Sequence, residues 1–166
     1  MVSQPVIECQ GVSKSFDGVE VLSDITLTLY RGEVVGVIGP GGHGKSVLLK
    51  VFAGLVTPDK GRVLVEGEDL SRMSADQLRR AREAYGYLFQ NYALFDFMTV
   101  ADNVAFPLRQ QKKLDEAAIA QRVQALLSEV GMGHALQLFP NELSGGMKKR
   151  VSLVRAVIAE PEILLY

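Results

Sequence analysis

Gly39-Pro40-Gly41-Gly42-His43-Gly44-Lys45-Ser46 is the stretch that decides the fold. It has the spacing G-x-x-x-x-G-K-[ST], which a random chain of this length contains with a probability of about 0.5% by average residue usage. The flanks say more than the pattern. Val34, Val35, Val37 and Ile38 precede it as a nearly continuous apolar, β-branched run, which predicts a strand buried on both faces, as in a parallel sheet. A helix is predicted from Lys45 to Ala53, stopped by Gly54. Strand, glycine-rich loop and helix in that order make a phosphate cradle. The glycines let successive backbone N–H groups curl inward, and the helix start adds unpaired N–H groups and a positive dipole end. Lys45 supplies a point charge to the β- and γ-phosphates, and the Ser46 hydroxyl a hard oxygen for Mg²⁺. A glycine-rich turn with a surface lysine is the plainer alternative, and the flanking elements argue against it. His43 is expected to point to solvent with only its backbone in use, not to act as a catalytic histidine.

Outward from the loop, Val6–Cys9 and Ile25–Tyr30 read as strands, the second by its alternation of Ile25, Leu27 and Leu29. Arg31-Gly32-Glu33 makes a turn, and Arg62–Val65 another strand between Gly61 and Gly67. Ser74-Ala75-Asp76-Gln77 has capping-box spacing and opens a short helix to about Ala84. Tyr85–Phe89 reads as a strand ending at Gln90. Beyond it the period becomes helical. Thr99 caps a short helix with Asp102 at the third position. Asp115 caps a longer one carrying Ile119, Val123, Leu126, Leu127 and Val130 on one face, with Gly131 as the stop. A further helix runs from about Gly145 to Ala159, Pro161 breaks it, and Ile163–Leu165 begins a buried strand.

The bulk composition excludes several classes. The 166 residues suffice for one domain with a sizeable core. With 48% hydrophobic and 22% charged residues the chain is globular. A formal net charge of −1 without a basic tract gives no footprint for nucleic acid. The single cysteine, Cys9, rules out an internal disulfide framework, fits a reducing cytosol, and is expected to be a small buried hydrophobe. No apolar run approaches the roughly 20 residues of a membrane span, and Met1–Gln10 has no leader pattern. Work at a membrane would therefore require a partner to carry the chain there.

The second constellation is Asn141-Glu142-Leu143-Ser144-Gly145-Gly146-Met147-Lys148-Lys149-Arg150-Val151, with Arg155-Ala156 downstream. Ser-Gly-Gly alone is an ordinary helix cap. Here it opens a long helix about a hundred residues after the phosphate loop. On these two motifs the whole chain resembles the ATP-binding subunits of ABC transporters. The resemblance implies an α/β P-loop NTPase, an ABC-type nucleotide-binding domain with an antiparallel β subdomain (1–90, with the P-loop core), a helical insertion (91–143), and a segment (144–166) holding the signature helix and the start of the Walker B strand. It implies ATP and Mg²⁺ as cofactors, transmembrane permease subunits as partners, a head-to-tail homodimer, and a place on the inner face of the cytoplasmic membrane.

Residue by residue, the resemblance assigns nucleotide contacts to Phe16, which stacks on adenine, to Gly39, Pro40, Gly41, Gly42, His43, Gly44, Lys45, Ser46 and Val47, and to Gln90. It adds Ser144, Gly145 and Gly146, which close over the γ-phosphate on the partner subunit's loop. Lys45 and Gln90 take the catalytic roles, and Ser46 and Gln90 the metal. Phe16 has a core-aromatic alternative, and Lys148, Lys149 and Arg150 read as a solvated helix face. Met147 departs from the family's commoner glutamine without touching the phosphate contacts. The apolar stretch Asn91–Met98 lies where the family receives a coupling helix from the permease; filling the core of the helical insertion is the competing role.

Gly44–Lys50 with Val47, Leu88–Asp96 and Val100–Leu108 are similar to the ATPases of Mce-associated, Mla-type lipid transporters, which points to phospholipid or a related apolar cargo. In the family, Glu162–Tyr166 leads into an Asp-Glu pair, whose Asp holds Mg²⁺ and whose Glu polarises the attacking water. This sequence ends one residue before that Asp, and the later switch histidine is not among its residues. It is therefore expected to bind nucleotide but hydrolyse it poorly, and to expose a hydrophobic strand edge beside the loop strand. A non-hydrolysing nucleotide-binding module and a soluble ABC ATPase of DNA repair or translation remain the alternatives. A small kinase or GTPase leaves Ser144-Gly145-Gly146 unexplained.

Overall fold

Asp17 and Gly18 have φ of 49° and 79°. Two consecutive positive values make a two-residue hairpin loop whose twist matches its strands. It joins β1 (Pro5–Phe16) to β2 (Val19–Tyr30). The structure is a computed structural model describing residues 4–166; Met1–Ser3, the start of the stretch read for a leader, lie outside the described residues. It divides into two compact units, one ending at Arg82 and the other Glu83–Tyr166.

In the first unit β1 pairs antiparallel with β2 and with β3 (Lys60–Val65), and β3 with the two-residue β4 (Glu68–Asp69), in the order β2-β1-β3-β4. Both long strands extend past their apolar alternation. Register shifts on either side of Val12 break the period of two that marks a strand in sequence. Ile7 stands between Leu29 and Val65, and Cys9 between Leu27 and Val63. Cys9 is buried, as expected of a small apolar side chain, and burial pushes its thiol up to about 11. Helix α1 (Lys45–Phe52) buries Leu48, Val51 and Phe52 and ends as the sequence predicts, Gly54 taking φ 63° and giving its N–H to Val51 O at 3.0 Å. Each such side chain contributes about 1.5–3 kcal/mol. Helix α2 (Ala75–Arg82) buries no residue. It starts on the predicted capping box: Ser74 N–H donates to Gln77 Oε1 at 2.8 Å, and Gln77 N–H to Ser74 Oγ at 3.3 Å.

Residues 34–38 correct the sequence expectation. They form no strand and belong to neither sheet, with Val34 88% and Ile38 96% exposed. A parallel strand makes no hydrogen bond to its sequence neighbours. A β-branched run therefore specifies a strand only where others flank it, and among the described residues none does.

In the second unit β5 (Tyr85–Tyr87) pairs parallel with β6 (Ile163–Leu165). Ile163 and Leu165 are buried but Leu164 is exposed, so β6 covers one face only. A Cβ on Gly86 would stand 2.2 Å from Ala156 O, so only glycine allows this close approach. Three helices follow: α3 (Val100–Gln111), α4 (Glu116–Glu129) and α5 (Gly145–Val157). Their core includes Val104, Leu108, Ile119, Val123, Leu127, Val151 and Val154. The predicted caps are present, Thr99 Oγ1 accepting from Asp102 N–H at 3.1 Å and Asp115 Oδ1 from Ala118 N–H at 2.8 Å. Helix α3 is longer than expected because it continues through Pro107. Among the described residues no helix is long and apolar enough to cross a membrane.

Candidate functional site

The glycine-rich loop is shaped by two left-handed residues, Gly42 at φ 78° and Gly44 at 75°. Gly44 is buried, and a Cβ there would lie 2.6 Å from Val21 O and 2.9 Å from Leu22 Cδ2. Glycine is required both by the backbone sign and by space. Gly44 is also the N-cap of α1, and no side chain caps that end. The amides of the first turn are therefore left for an anion. Lys45 Nζ donates to Gly39 O at 2.8 Å and Pro40 O at 2.6 Å, which folds the lysine back over its own loop. His43 is exposed, with Nδ1 2.9 Å from Gly41 O; as donor, that nitrogen carries the proton. Ser46 is exposed and Val47 half-buried. Phe16 sits at the hairpin end, 44% exposed, which excludes the core-aromatic alternative. Lys14 Nζ lies 5.4 Å from its ring centroid and donates to Asp59 Oδ1 at 2.7 Å. That contact, then the Ser15 N–H, holds the Asp59 carboxyl below the usual carboxylate range.

In the second unit Gln90 is exposed just after β5. The chain then turns tightly, Tyr92 N–H donating to Phe89 O at 2.9 Å and Ala93 N–H to Asn91 O at 2.8 Å. Ser144 caps α5 by accepting from Met147 N–H at 3.3 Å, while Gly145 and Gly146 lie exposed at the helix start. Met147 packs against the helical core, so its departure from the commoner glutamine falls on the packed side. The apolar stretch divides between its two expected roles. Leu94 packs on the helical core and Phe95 lies tilted against Phe106, with ring centroids 5.0 Å apart, whereas Phe97 is 76% exposed.

Two residues to which the sequence reading gave no role organise this unit. Asn103 is fully buried, accepting from Phe95 N–H at 2.8 Å and offering Nδ2 to Phe95 O, Met98 O and Thr99 O at 3.0–3.1 Å. Arg155 gives Nη2–H to Tyr92 O and Nη1–H to Ala93 O, each at 2.7 Å. A polar residue at a core position of α3's apolar period was the available signal for Asn103. Arg155 stood out with the second constellation, but its partners could not be read, since they are backbone carbonyls.

The phosphate loop at the start of α1, the antiparallel sheet and the helical unit define a P-loop NTPase of the ATP-binding cassette type, the α/β class expected from the sequence. The model of the ABC transporter family matches residues 22–166. The chain belongs to that family. It is 44% identical over 159 residues to a probable ribonucleotide transport ATP-binding protein, mkl, of Mycobacterium tuberculosis, covering 96% of this chain and 44% of that one. It is 45% identical over 162 residues to the sulfate/thiosulfate import ATP-binding protein CysA of Yersinia pestis, covering 96% and 43%. The chain thus spans less than half the length of these curated relatives. Among solved structures it resembles the dimeric, post-hydrolysis ATP-binding cassette MJ0796 bound to ADP and Pi, with TM-score 0.90, 26% identity, and 95% of this chain and 72% of that chain covered. It also resembles cbiO1 of Clostridium perfringens, part of the transporter complex cbiONQ, with TM-score 0.79, 30% identity, and 97% and 64% covered.

Proposed function

We propose that this chain is the ATP-binding part of an ABC transporter, working in a protein that binds and hydrolyses ATP to drive transport. The observation that carries the proposal is the uncapped N-terminus of α1 behind a loop that only glycine can form at position 44, with Lys45 poised on that loop. An arriving phosphate competes with the Gly39 and Pro40 carbonyls for the lysine's three N–H donors. Gly39–Val47 bind the phosphates, Phe16 stacks on the base, and Ser144, Gly145 and Gly146 serve the nucleotide of a partner cassette in a head-to-tail homodimer. The dimeric cassette among the structural relatives supports that last role.

Among the described residues no group of three or more His, Cys, Asp or Glu is placed to hold a metal. Mg²⁺ needs none here, because it keeps several waters and takes phosphate oxygens, so one hard protein oxygen such as the exposed Ser46 hydroxyl suits it. Ser46 is the residue of the first unit that would hold it, Gln90 being assigned to it by the family resemblance alone, and it would neutralise charge on the phosphates. Phe97 and its neighbours face a permease subunit, which carries the chain to the inner face of the cytoplasmic membrane. The cargo is phospholipid or a related apolar molecule, a choice resting on the Gly44–Lys50, Leu88–Asp96 and Val100–Leu108 resemblances. The relatives are named for other cargoes, one for ribonucleotide and the other for sulfate/thiosulfate.

Titrating Mg·ATP against the wild type and Lys45→Ala, read by a fluorescent ATP analogue, tests the core of this proposal. Loss of a charged hydrogen-bond donor at the phosphates weakens binding by about 10- to 100-fold. Equal affinities would remove the nucleotide reading and the transporter with it.

A further inference from the structure

Tyr92 and Ala93 both have left-handed backbones, φ 64° and 47°, and neither is glycine. The Ala93 N–H to Asn91 O bond closes a three-residue turn around Tyr92, and a turn of that size with positive central φ is rare and strained. Such a turn persists only if its surroundings hold it. The holder is the half-buried guanidinium of Arg155, whose two terminal nitrogens grip the two carbonyls of the strained pair. Burial lowers the Arg155 pKa from its ordinary value, but the group stays cationic, and a cation is the stronger donor to carbonyls.

Arg155 lies ten residues beyond Gly145, about 15 Å along α5. Helical side chains lean toward the helix N-terminus, so Arg155 reaches back along its own helix. From the turn that it holds, the Tyr92 phenol continues in the same direction. Its Oη stands 3.7 Å from where a Cβ on Gly145 would be. Guanidinium, turn and phenol thus lie in sequence along α5, from its last turns to the Ser144–Gly146 end. The turn itself begins at Asn91, the residue after Gln90.

We propose that Arg155 and Tyr92 form a strap that fixes the segment following Gln90 onto the start of α5, making Arg155 a positioning residue for ATP turnover. The inference rests on the proposed roles of Gln90 and Ser144–Gly146. The strap ties the loop that would meet the attacking water to the cradle that would close on the partner's nucleotide, so the two move as one body. Lysine cannot replace the arginine, because a single ammonium does not present the planar fork that spans two carbonyls.

The test uses the full-length protein assembled with its partners, measuring ATPase kcat and KM, Mg·ATP affinity and melting temperature for Arg155→Lys and Arg155→Met, each with and without Ala93→Gly. Arg155→Lys is expected to lower kcat about tenfold, the rate equivalent of one charge-assisted hydrogen bond, with KM and melting temperature little changed. Ala93→Gly recovers part of the kcat lost in Arg155→Met, since glycine adopts φ 47° without a Cβ to crowd it. Wild-type kcat in Arg155→Lys would overturn the strap. So would losses of kcat and melting temperature in parallel that Ala93→Gly does not relieve. Lys45→Ala, run beside them, separates the two levels: undiminished Mg·ATP binding there refutes the nucleotide reading, whereas a strap failure leaves the Lys45 dependence intact.

Discussion

Replacing Asn103 by alanine removes one amide from the middle of the helical unit, and the structure fixes what that costs. Nδ2 has two hydrogens for three carbonyls, and Oδ1 accepts one N–H, so the side chain makes three full hydrogen bonds. At about 1 kcal/mol each, the loss is about 3 kcal/mol. Two of the carbonyls keep a backbone donor, Phe95 O from Met98 N–H at 3.1 Å and Thr99 O from Asn103's own N–H at 2.9 Å. The damage concentrates at the Phe95 N–H and the Met98 carbonyl. For a chain of this size, 3 kcal/mol corresponds to a fall of about 6–12 °C in melting temperature. Asn103→Asp keeps the acceptor for Phe95 N–H but turns a carboxylate toward three carbonyls. Burial and those carbonyls raise its folded-state pKa above the unfolded value of about 3.9. The stability tied to its neutral form is then fully present below about pH 4 and is lost as pH rises through the folded pKa. Equilibrium urea unfolding followed by far-UV circular dichroism, at pH 4 and pH 7, measures both variants. A cost below about 1 kcal/mol for Asn103→Ala, or a pH-independent Asn103→Asp, would refute this account of the Phe95–Thr99 loop.

Gly44→Ala combines a left-handed φ, about 1–2 kcal/mol for an L-residue, with a Cβ 2.6 Å from a backbone oxygen. Affinity for a fluorescent ATP analogue is expected to fall more than tenfold, and wild-type affinity would show that the β1–β2 hairpin does not shape the loop. Asp102 accepts from Arg109 at 2.9 Å and from Thr99 Oγ1 at 2.7 Å, which hold its carboxyl below the usual range, the arginine contributing most. A depressed folded pKa gives stability that is present above about pH 4 and lost as pH falls through the folded value. Asp102→Asn should therefore flatten the acid limb of melting temperature against pH, and an unchanged slope would discard the pairing.

The caps and stops at Ser74, Thr99, Asp115, Gly54 and Gly131 could be read from the sequence because each is a contact within about four residues, where residue type alone sets geometry. The glycine loop and Ser144-Gly145-Gly146 were readable for the same reason: a cradle of successive amides at a helix start is local. The 34–38 run was misjudged because composition specifies a central strand only through neighbours that the run itself does not encode. The full length of β1 and β2 was hidden by the register shifts, which cancel the period of two.

Asn103 and Arg155 mark a different boundary of what sequence reveals. Both spend their polarity on carbonyls of the 92–99 loop, Asn103 from four to eight residues away and Arg155 from 62 and 63. A carbonyl has no residue identity, so nothing in the letters of that loop announces its donors. Yet these two side chains hold the only route by which the chain passes from β5 into α3, and they hold it differently. Asn103 is fully enclosed and its bonds close on one turn of loop, which makes that part rigid. Arg155 is half-buried and grips a strained pair, so its part is held in place by two charge-assisted hydrogen bonds to that pair's carbonyls and not by enclosure.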